Sequence, residues 1–357
     1  MKKCYIVMEN GRVFEGVRFG ADATALGEMV FTTSVCGYLE TLTDPCYKGQ
    51  IVMQTFPLNG NYGIIEEDLK RDVHAAAYVV RSWCETPSNF RSQYDMDTFL
   101  KRRGIAGVYG VDTREITRLL RMNGVMNAAI VDEIPEDLSF IRNYRVENAV
   151  AAVSSGKIEE YPAKGEEKYS VAVLDFGDKA NIVDEITKRG CRVCVLPYDT
   201  AAETILEGGY QGVVISNGPG DPRDNAAAVA EIKKLLGKVA IFGIGLGHQM
   251  LALAAGGEVI KLKFGHRGGN QPVRFLNMGR TYITSQNHGY AVDADKLPVG
   301  VRMIFENAND GTCEGLCYDG MKAFSAQFVP EISAGPQDNS FLYDRFVQQM
   351  GGNEICL

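Results

Sequence analysis

From about residue 170 onward, short apolar runs and amphipathic helical patterns follow one another in turn, and this alternation constrains the fold more than any other feature of the chain. Apolar runs at 171–174, 193–196 and 213–215 each read as a buried strand. A helix is expected from about 179 to 189, stopped by Gly190, and a second opens on Thr200-Ala201-Ala202-Glu203, which has the form of a capping box. A third places Val229, Ile232, Leu235 and Leu236 on one face, stops at Gly237, and leads into the apolar run Val239-Ala240-Ile241-Phe242. Strands joined through helices pair in parallel, so this half is expected to be α/β: a doubly wound, mostly parallel sheet with functional loops at the carboxyl ends of its strands.

The first 150 residues have a different texture. Short runs such as Tyr5-Ile6-Val7-Met8 and Ile51-Val52-Met53 lie among many turn residues, which predicts a strand-rich N-terminal domain. One helix stands out there: Asp112-Thr113-Arg114-Glu115 resembles a capping box, Ile116, Leu119 and Leu120 form the apolar stripe, and Asn123-Gly124 supplies the stop. Residues 151–169 are polar and turn-rich, with little to bury, and read as a linker. The expected organisation is therefore a domain over 1–150, a linker over 151–169 and a second domain over 170–357, lengths that let each domain bury its own core.

At the end of the run from Val239 comes Gly243-Ile244-Gly245-Leu246-Gly247-His248-Gln249, the form of a strand-turn-helix that presents a nucleophile. Small residues on either side let the chain reverse sharply and leave the central side chain exposed in a strained conformation. Here the central residue is Gly245, which relieves the strain and offers no atom that attacks.

Composition narrows the function classes. With 37 basic and 45 acidic residues the formal charge is −8, which argues against nucleic acid or an anionic membrane as partner. No apolar run has the length of a membrane span or the form of a signal peptide. The nine cysteines form an odd, scattered set, as expected of reduced thiols in a cytoplasm. Cys191 and Cys194, with Cys313 and Cys317, have the outline of a zinc site. The first pair, however, lies in a strand pattern that points residues three apart to opposite faces, so all four read as core cysteines and no metal site is expected.

Three segments fall at strand ends of the second domain: Ser216-Asn217-Gly218-Pro219-Gly220-Asp221-Pro222, the elbow, and Ser325-Ala326-Gln327-Phe328-Val329-Pro330-Glu331. Together they resemble class I glutamine amidotransferases, in which an elbow cysteine attacks the side-chain amide of glutamine, assisted by a histidine that a glutamate orients. Further motifs narrow the resemblance to the family of carbamoyl phosphate synthetase small subunits and extend it over nearly the whole chain. They are Gly37-Tyr38-Leu39-Glu40-Thr41-Leu42-Thr43-Asp44-Pro45, Ser88-Asn89-Phe90-Arg91 and Asp112-Thr113-Arg114 in the first domain. The second adds Phe264-Gly265-His266-Arg267-Gly268-Gly269-Asn270, Gln286-Asn287-His288-Gly289-Tyr290 and Gly335-Pro336-Gln337-Asp338.

The resemblance implies glutamine contacts at Cys46, Gly218, Gly220, Leu246, Gln249, Asn287, Gly289 and Tyr290. It also implies a heterodimer with a large subunit that carries the ATP and Mg chemistry, so that no cofactor is expected on this chain. The family reaction hydrolyses glutamine here and delivers ammonia to the large subunit for carbamoyl phosphate, which feeds arginine and pyrimidine synthesis. The departures are equally specific. Gly245 stands where the family has its cysteine and Val329 where it has its histidine, while Glu331 is retained. Only His74, His248, His266 and His288 are present, none near the carboxyl end. Loss of a nucleophile or base in a comparable triad costs on the order of 10⁶ in turnover, about 8 kcal/mol. The chain is therefore expected to be a pseudo-glutaminase with a structural or allosteric role. The alternatives are a residual glutaminase through unusual chemistry and a non-catalytic glutamine-sensing paralogue. Cys46, at a position where the family usually has serine, is either a conservative exchange or a relocated nucleophile with His288 as its base. His248 and His266 read as hydrogen-bonded structural residues. Two readings of the pocket stand: backbone amides still bind glutamine, or a void left by the missing cysteine and a desolvated Glu331 oppose it.

Overall fold

The computed structural model describes residues 2–331, 336 and 338–352. Gly335 and Gln337 of the motif noted above, and Cys356, lie outside the described residues. The chain divides into two compact units, Met1–Ala149 and Val150–Leu357.

The first unit is built on strands β1 (Lys3–Met8), β2 (Val13–Gly20), β3 (Ala25–Thr32), β4 (Gln50–Gln54), β6 (Ala77–Val79), β8 (Ala106–Tyr109) and β9 (Met126–Val131), with β5 (Leu58–Asn59) and β7 (Ser82–Trp83) forming a separate pair. The seven close into a barrel in the order β1-β2-β8-β6-β4-β3-β9, so every one of them is paired on both sides and no edge is left open. A buried cluster that includes Phe19, Val30, Val52, Tyr78, Phe99 and Leu100 packs beside it. The expected helix spans Thr113–Asn123, and its stripe residues Ile116 and Leu120 are fully buried. Asp112 caps it by accepting from the Glu115 N–H at 2.9 Å. The Glu115 carboxylate pairs with Arg12, across the barrel surface, instead of closing the box.

In the second unit, β10 (Glu159–Tyr161), β11 (Tyr169–Asp175), β12 (Cys191–Pro197), β13 (Gly212–Ile215), β14 (Ala240–Ile244), β15 (Val259–Phe275), β16 (Arg280–Val292), β17 (Val301–Asn307), β18 (Cys313–Tyr318) and β19 (Ala323–Ala326) form one sheet, ordered β10-β12-β11-β13-β14-β19-β18-β16-β15-β17. Its core β12-β11-β13-β14-β19 is parallel, as the alternation with helices requires. Successive residues of β11 enter opposite apolar layers, Ala172 and Leu174 on one face and Val171 and Val173 on the other. The sheet then continues through antiparallel strands, among them the long arms β15 and β16. Glycines at 265, 268 and 269 break the apolar period in β15, and its pairing with β16 shifts register between Lys261 and His266 and again between Gly268 and Gln271.

Three local findings differ from the sequence reading. Part of the segment read as a linker is built into the sheet: β10 pairs with β12, and Lys179 ties Glu159 to Asp175 with contacts of 3.1 Å to each. A three-residue edge strand needs backbone partners rather than apolar side chains, so hydrophobicity does not reveal it. The helix at Ala202–Glu207 is not capped by Thr200, whose hydroxyl donates to the Pro197 carbonyl; Glu231 of the next helix accepts from the Ala202 N–H at 2.8 Å. Lastly, Cys191 and Cys317 lie in one apolar layer and Cys194 and Cys313 in the other, so the two pairs are split across the sheet.

Candidate functional site

The elbow is formed as its glycines require. β14 ends at Ile244, and helix Leu246–Ala255 starts immediately after Gly245, whose φ of +56° and ψ of −109° are accessible only to glycine without strain. The flanking glycines answer to packing. A Cβ on Gly243 would come within 2.7 Å of the Gly247 carbonyl oxygen, and one on Gly247 would overlap the Ile215 carbonyl of the neighbouring strand. Gly245 is anchored by its N–H, which donates to the Ala326 carbonyl at 2.9 Å.

The space beside Gly245 is filled. Asn217, two residues beyond β13, turns its carboxamide over the glycine, so that a Cβ built on Gly245 would overlap Asn217 Oδ1 and Cγ. Asn217 Oδ1 accepts from the Leu246 N–H at 2.9 Å. Where the sequence reading allowed a void, the volume of a Cβ on Gly245 is taken by this neighbouring polar side chain. The Asn217 backbone is held by an isolated bridge to Asp178, and Ser216 Oγ accepts from the Phe176 N–H at 2.9 Å, which fixes the loop. Gly218 lies so close to the Phe176 carbonyl that a Cβ there would overlap it, and Gly220 has φ +92°. Both glycines are therefore demanded by the turn itself.

The other residues assigned to glutamine contact gather at the adjoining strand. Gln249, one turn into the elbow helix, donates from Nε2 to the Tyr290 carbonyl at 2.8 Å and to Gln327 Oε1 at 2.9 Å. This ties the helix to β16, where Asn287, Gly289 and Tyr290 are partly exposed. Two cations approach the Tyr290 ring, Arg223 at 5.7 Å and Lys261 at 5.9 Å from its centroid. Arg223 grips Asp221 through both carboxylate oxygens, at 2.9 and 2.6 Å. Burial works against the charged Asp221, yet this guanidinium holds the carboxyl below its usual range. Gly218, Gly220, Leu246, Gln249, Asn287, Gly289 and Tyr290 thus all lie in the second unit, on the loop, the elbow and β16. Cys46 belongs to the first unit, where it is buried in a short turn with its N–H donated to Asp44 Oδ1.

Val329 and Glu331 are each tied to a neighbouring element. The Val329 N–H donates to the Ser285 carbonyl at 3.0 Å, pinning this stretch to β16. Glu331 is 2% exposed and accepts from the Tyr343 hydroxyl at 2.6 Å, on the helix Phe341–Met350. Burial, and then the neighbouring Glu331, push the Tyr343 hydroxyl far above its ordinary range. Tyr343 was not singled out from sequence, and no motif marks it. Gln327, whose amide meets Gln249, lies within a noted motif but carried no assignment.

The histidines also resolve. His248 is fully buried, its Nδ1 2.8 Å from Ser325 Oγ, and burial lowers its pKa to about 3, so it is a neutral structural residue. His266, opposite His288 in the β15–β16 register, has Nε2 2.9 Å from Asp310 Oδ2 and Nδ1 3.4 Å from Glu314 Oε1. Burial alone would lower its pKa, but these two carboxylates raise it to about 9. Buried Glu314 also accepts from Asn307 at 3.0 Å and from Gln286 at 2.9 Å. His288 sits with Nδ1 2.8 Å from the Tyr290 carbonyl and Nε2 3.1 Å from Gln286 Oε1. Burial drives it toward the neutral form, in which only one of these two ring nitrogens carries a proton to donate. His266, His288 and Glu314 are spaced closely enough to approach one metal ion. Their donor atoms are already engaged in the hydrogen-bonded network just described.

A parallel core, a glycine elbow at the end of β14 and a Gly-Pro-Gly loop beside it define a class I glutamine amidotransferase domain; residues 172–349 match the family described as glutamine amidotransferase class-I. Residues 6–130 match the carbamoyl-phosphate synthase small chain, CPSase domain. The chain belongs to the carbamoyl phosphate synthase small-chain family. It is 46% identical over 353 residues to the carbamoyl phosphate synthase small chain of Clostridium perfringens, covering 97% of this chain and 99% of that one. It is 45% identical over 356 residues to the small chain of Fusobacterium nucleatum, covering 98% of each. A solved glutamine amidotransferase from Thermotoga maritima aligns with 52% of this chain and 85% of its own, at 20% identity and a TM-score of 0.38.

Proposed function

We propose that this chain is a non-hydrolysing small subunit: it pairs with a carbamoyl phosphate synthase large subunit, lacks glutaminase chemistry of its own, and leaves the complex dependent on free ammonia. The observation that carries the reading is the elbow. Gly245 offers no nucleophile at the apex, and the Leu246 N–H, the donor best placed to stabilise an oxyanion, is engaged by Asn217. Val329 contributes no base, and the Glu331 carboxylate meets Tyr343. A site without nucleophile or base forgoes about 8 kcal/mol of transition-state stabilisation. Partnership with a large subunit is supported by full-length similarity to proteins named as small chains. ATP and Mg belong to that partner in this reading, and no cofactor resides on this chain. A cytoplasmic setting is supported by eight free cysteines among the described residues. The test is glutamate release from glutamine by the purified full-length chain. The proposal expects release no faster than buffer; release that disappears on Gln249→Ala would overturn it.

A further inference from the structure

The group that covers Gly245 has a particular chemistry. Asn217 ends in a carboxamide, the same functional group that glutamine carries at the end of its side chain. Its oxygen is the atom facing the Leu246 N–H, because a backbone donor at 2.9 Å requires an acceptor. The site is thereby fitted with an amide carbonyl on the elbow donor, in the volume that a side chain on residue 245 would otherwise claim. The arrangement depends on Gly245: with any Cβ at that position, Asn217 Oδ1 and Cγ would have to move. It is also well supported. The Asn217 backbone is fixed through the Asp178 bridge, Ser216 Oγ donates to its carbonyl at 3.0 Å, and the residue is buried.

Resting on the reading of this pocket as a non-hydrolysing glutamine site, we infer that Asn217 is an internal stand-in for the substrate amide, occupying the elbow donor and the amide end of the pocket so that glutamine is excluded from it. The residues that the resemblance assigns to glutamine, among them Gln249, Asn287 and Tyr290, are left with an amino acid whose side-chain amide has no place to seat. Glutamine has to displace a tethered group of its own kind, already at high local concentration, before its carbonyl reaches the Leu246 N–H. Removing the carboxamide releases that donor.

The test is isothermal calorimetry with glutamine on three full-length proteins: unaltered, Asn217→Ala and Asn217→Asp. Asn217→Asp keeps an oxygen of the same reach on the Leu246 N–H, and serves as the control for a change at this position that leaves the plug in place. The expected result is glutamine binding at least about fivefold tighter in Asn217→Ala than in the other two, the equivalent of one recovered hydrogen bond. Equal or weaker binding in Asn217→Ala, including no detectable binding by any of the three, would overturn the inference. Should Asn217→Ala fail to fold, judged by circular dichroism, Asn217→Ser carries the same expectation because its shorter side chain does not reach the donor. Glutamate release is read on the same samples. Release by the unaltered protein sinks the non-hydrolysing reading, whereas unchanged binding without release sinks only the role given to Asn217.

Discussion

Placing a cysteine at the elbow separates shape from chemistry. At Gly245 the backbone has φ +56° and ψ −109°, where a side chain costs about 1–3 kcal/mol. The new Cβ also overlaps the Asn217 carboxamide, so that group must swing away and lose its bond from the Leu246 N–H, about 1 kcal/mol more. Gly245→Cys should therefore destabilise the second unit by about 2–4 kcal/mol. For a unit of this size that corresponds to a fall in its unfolding midpoint of roughly 5–15 °C. Scanning calorimetry of the full-length chain reads it, with Gly279→Ala as reference. Gly279 has a similar φ, +63°, but open space around it, so that variant meets only the backbone cost, about 1–2 kcal/mol. Glutamate release by Gly245→Cys should remain at background, because no base stands at position 329. A midpoint within about 2 °C of the unaltered protein, or no deficit relative to Gly279→Ala, would refute the account of crowding at the elbow.

Three further outcomes follow from particular contacts. Tyr343→Phe removes the donor to buried Glu331 and should destabilise the second unit by about 1–3 kcal/mol in urea unfolding; a smaller shift would mean that the bond is not maintained in solution. His266 is opposed by burial but held by Asp310 and Glu314 at a pKa of about 9, above the roughly 6.5 of an unfolded chain. The stability it contributes is therefore fully present below about pH 6.5 and is lost as pH rises through about 9. The unfolding midpoint should decline over that window and the decline should flatten in His266→Gln; an unchanged slope argues against the charged triad. Asp112→Ala, which removes the cap on the helix Thr113–Asn123, should cost the first unit about 1 kcal/mol by urea unfolding, and no measurable loss would discount the cap.

The sequence exposed what depends on local periodicity and on glycine. The helix expected at 179–189 is observed at Ala180–Lys188, and the one ending at Gly237 at Ala226–Leu235, with Ile232 and Leu235 buried as the stripe requires. The elbow was legible because its small residues are forced by backbone approach, Gly247 against Ile215 above all. Less legible was what nonlocal contacts decide. β10 is held by backbone pairing, and the antiparallel arm β15–β16 combines bulges with mixed polarity, so neither shows a clean period. The cap on the helix Ala202–Glu207 comes from Glu231, 29 positions away from the residue it serves, while the nearby Thr200 only has the right appearance. The site shows the same divide. The absence of a side chain at 245 is read directly, but its consequence, a carboxamide from another strand entering the space, emerges only in three dimensions. Tyr343 beneath Glu331 likewise belongs to a helix that no motif connects to the elbow.

The source of nitrogen separates a non-hydrolysing small subunit from a working glutaminase. Copurifying this chain with its cognate large subunit and measuring carbamoyl phosphate formation with ATP, bicarbonate and either glutamine or ammonium tests it directly. A non-hydrolysing small subunit gives synthesis with ammonium and background with glutamine. Synthesis supported by glutamine, with glutamate appearing in step, would contradict it and place a working nucleophile elsewhere in the complex.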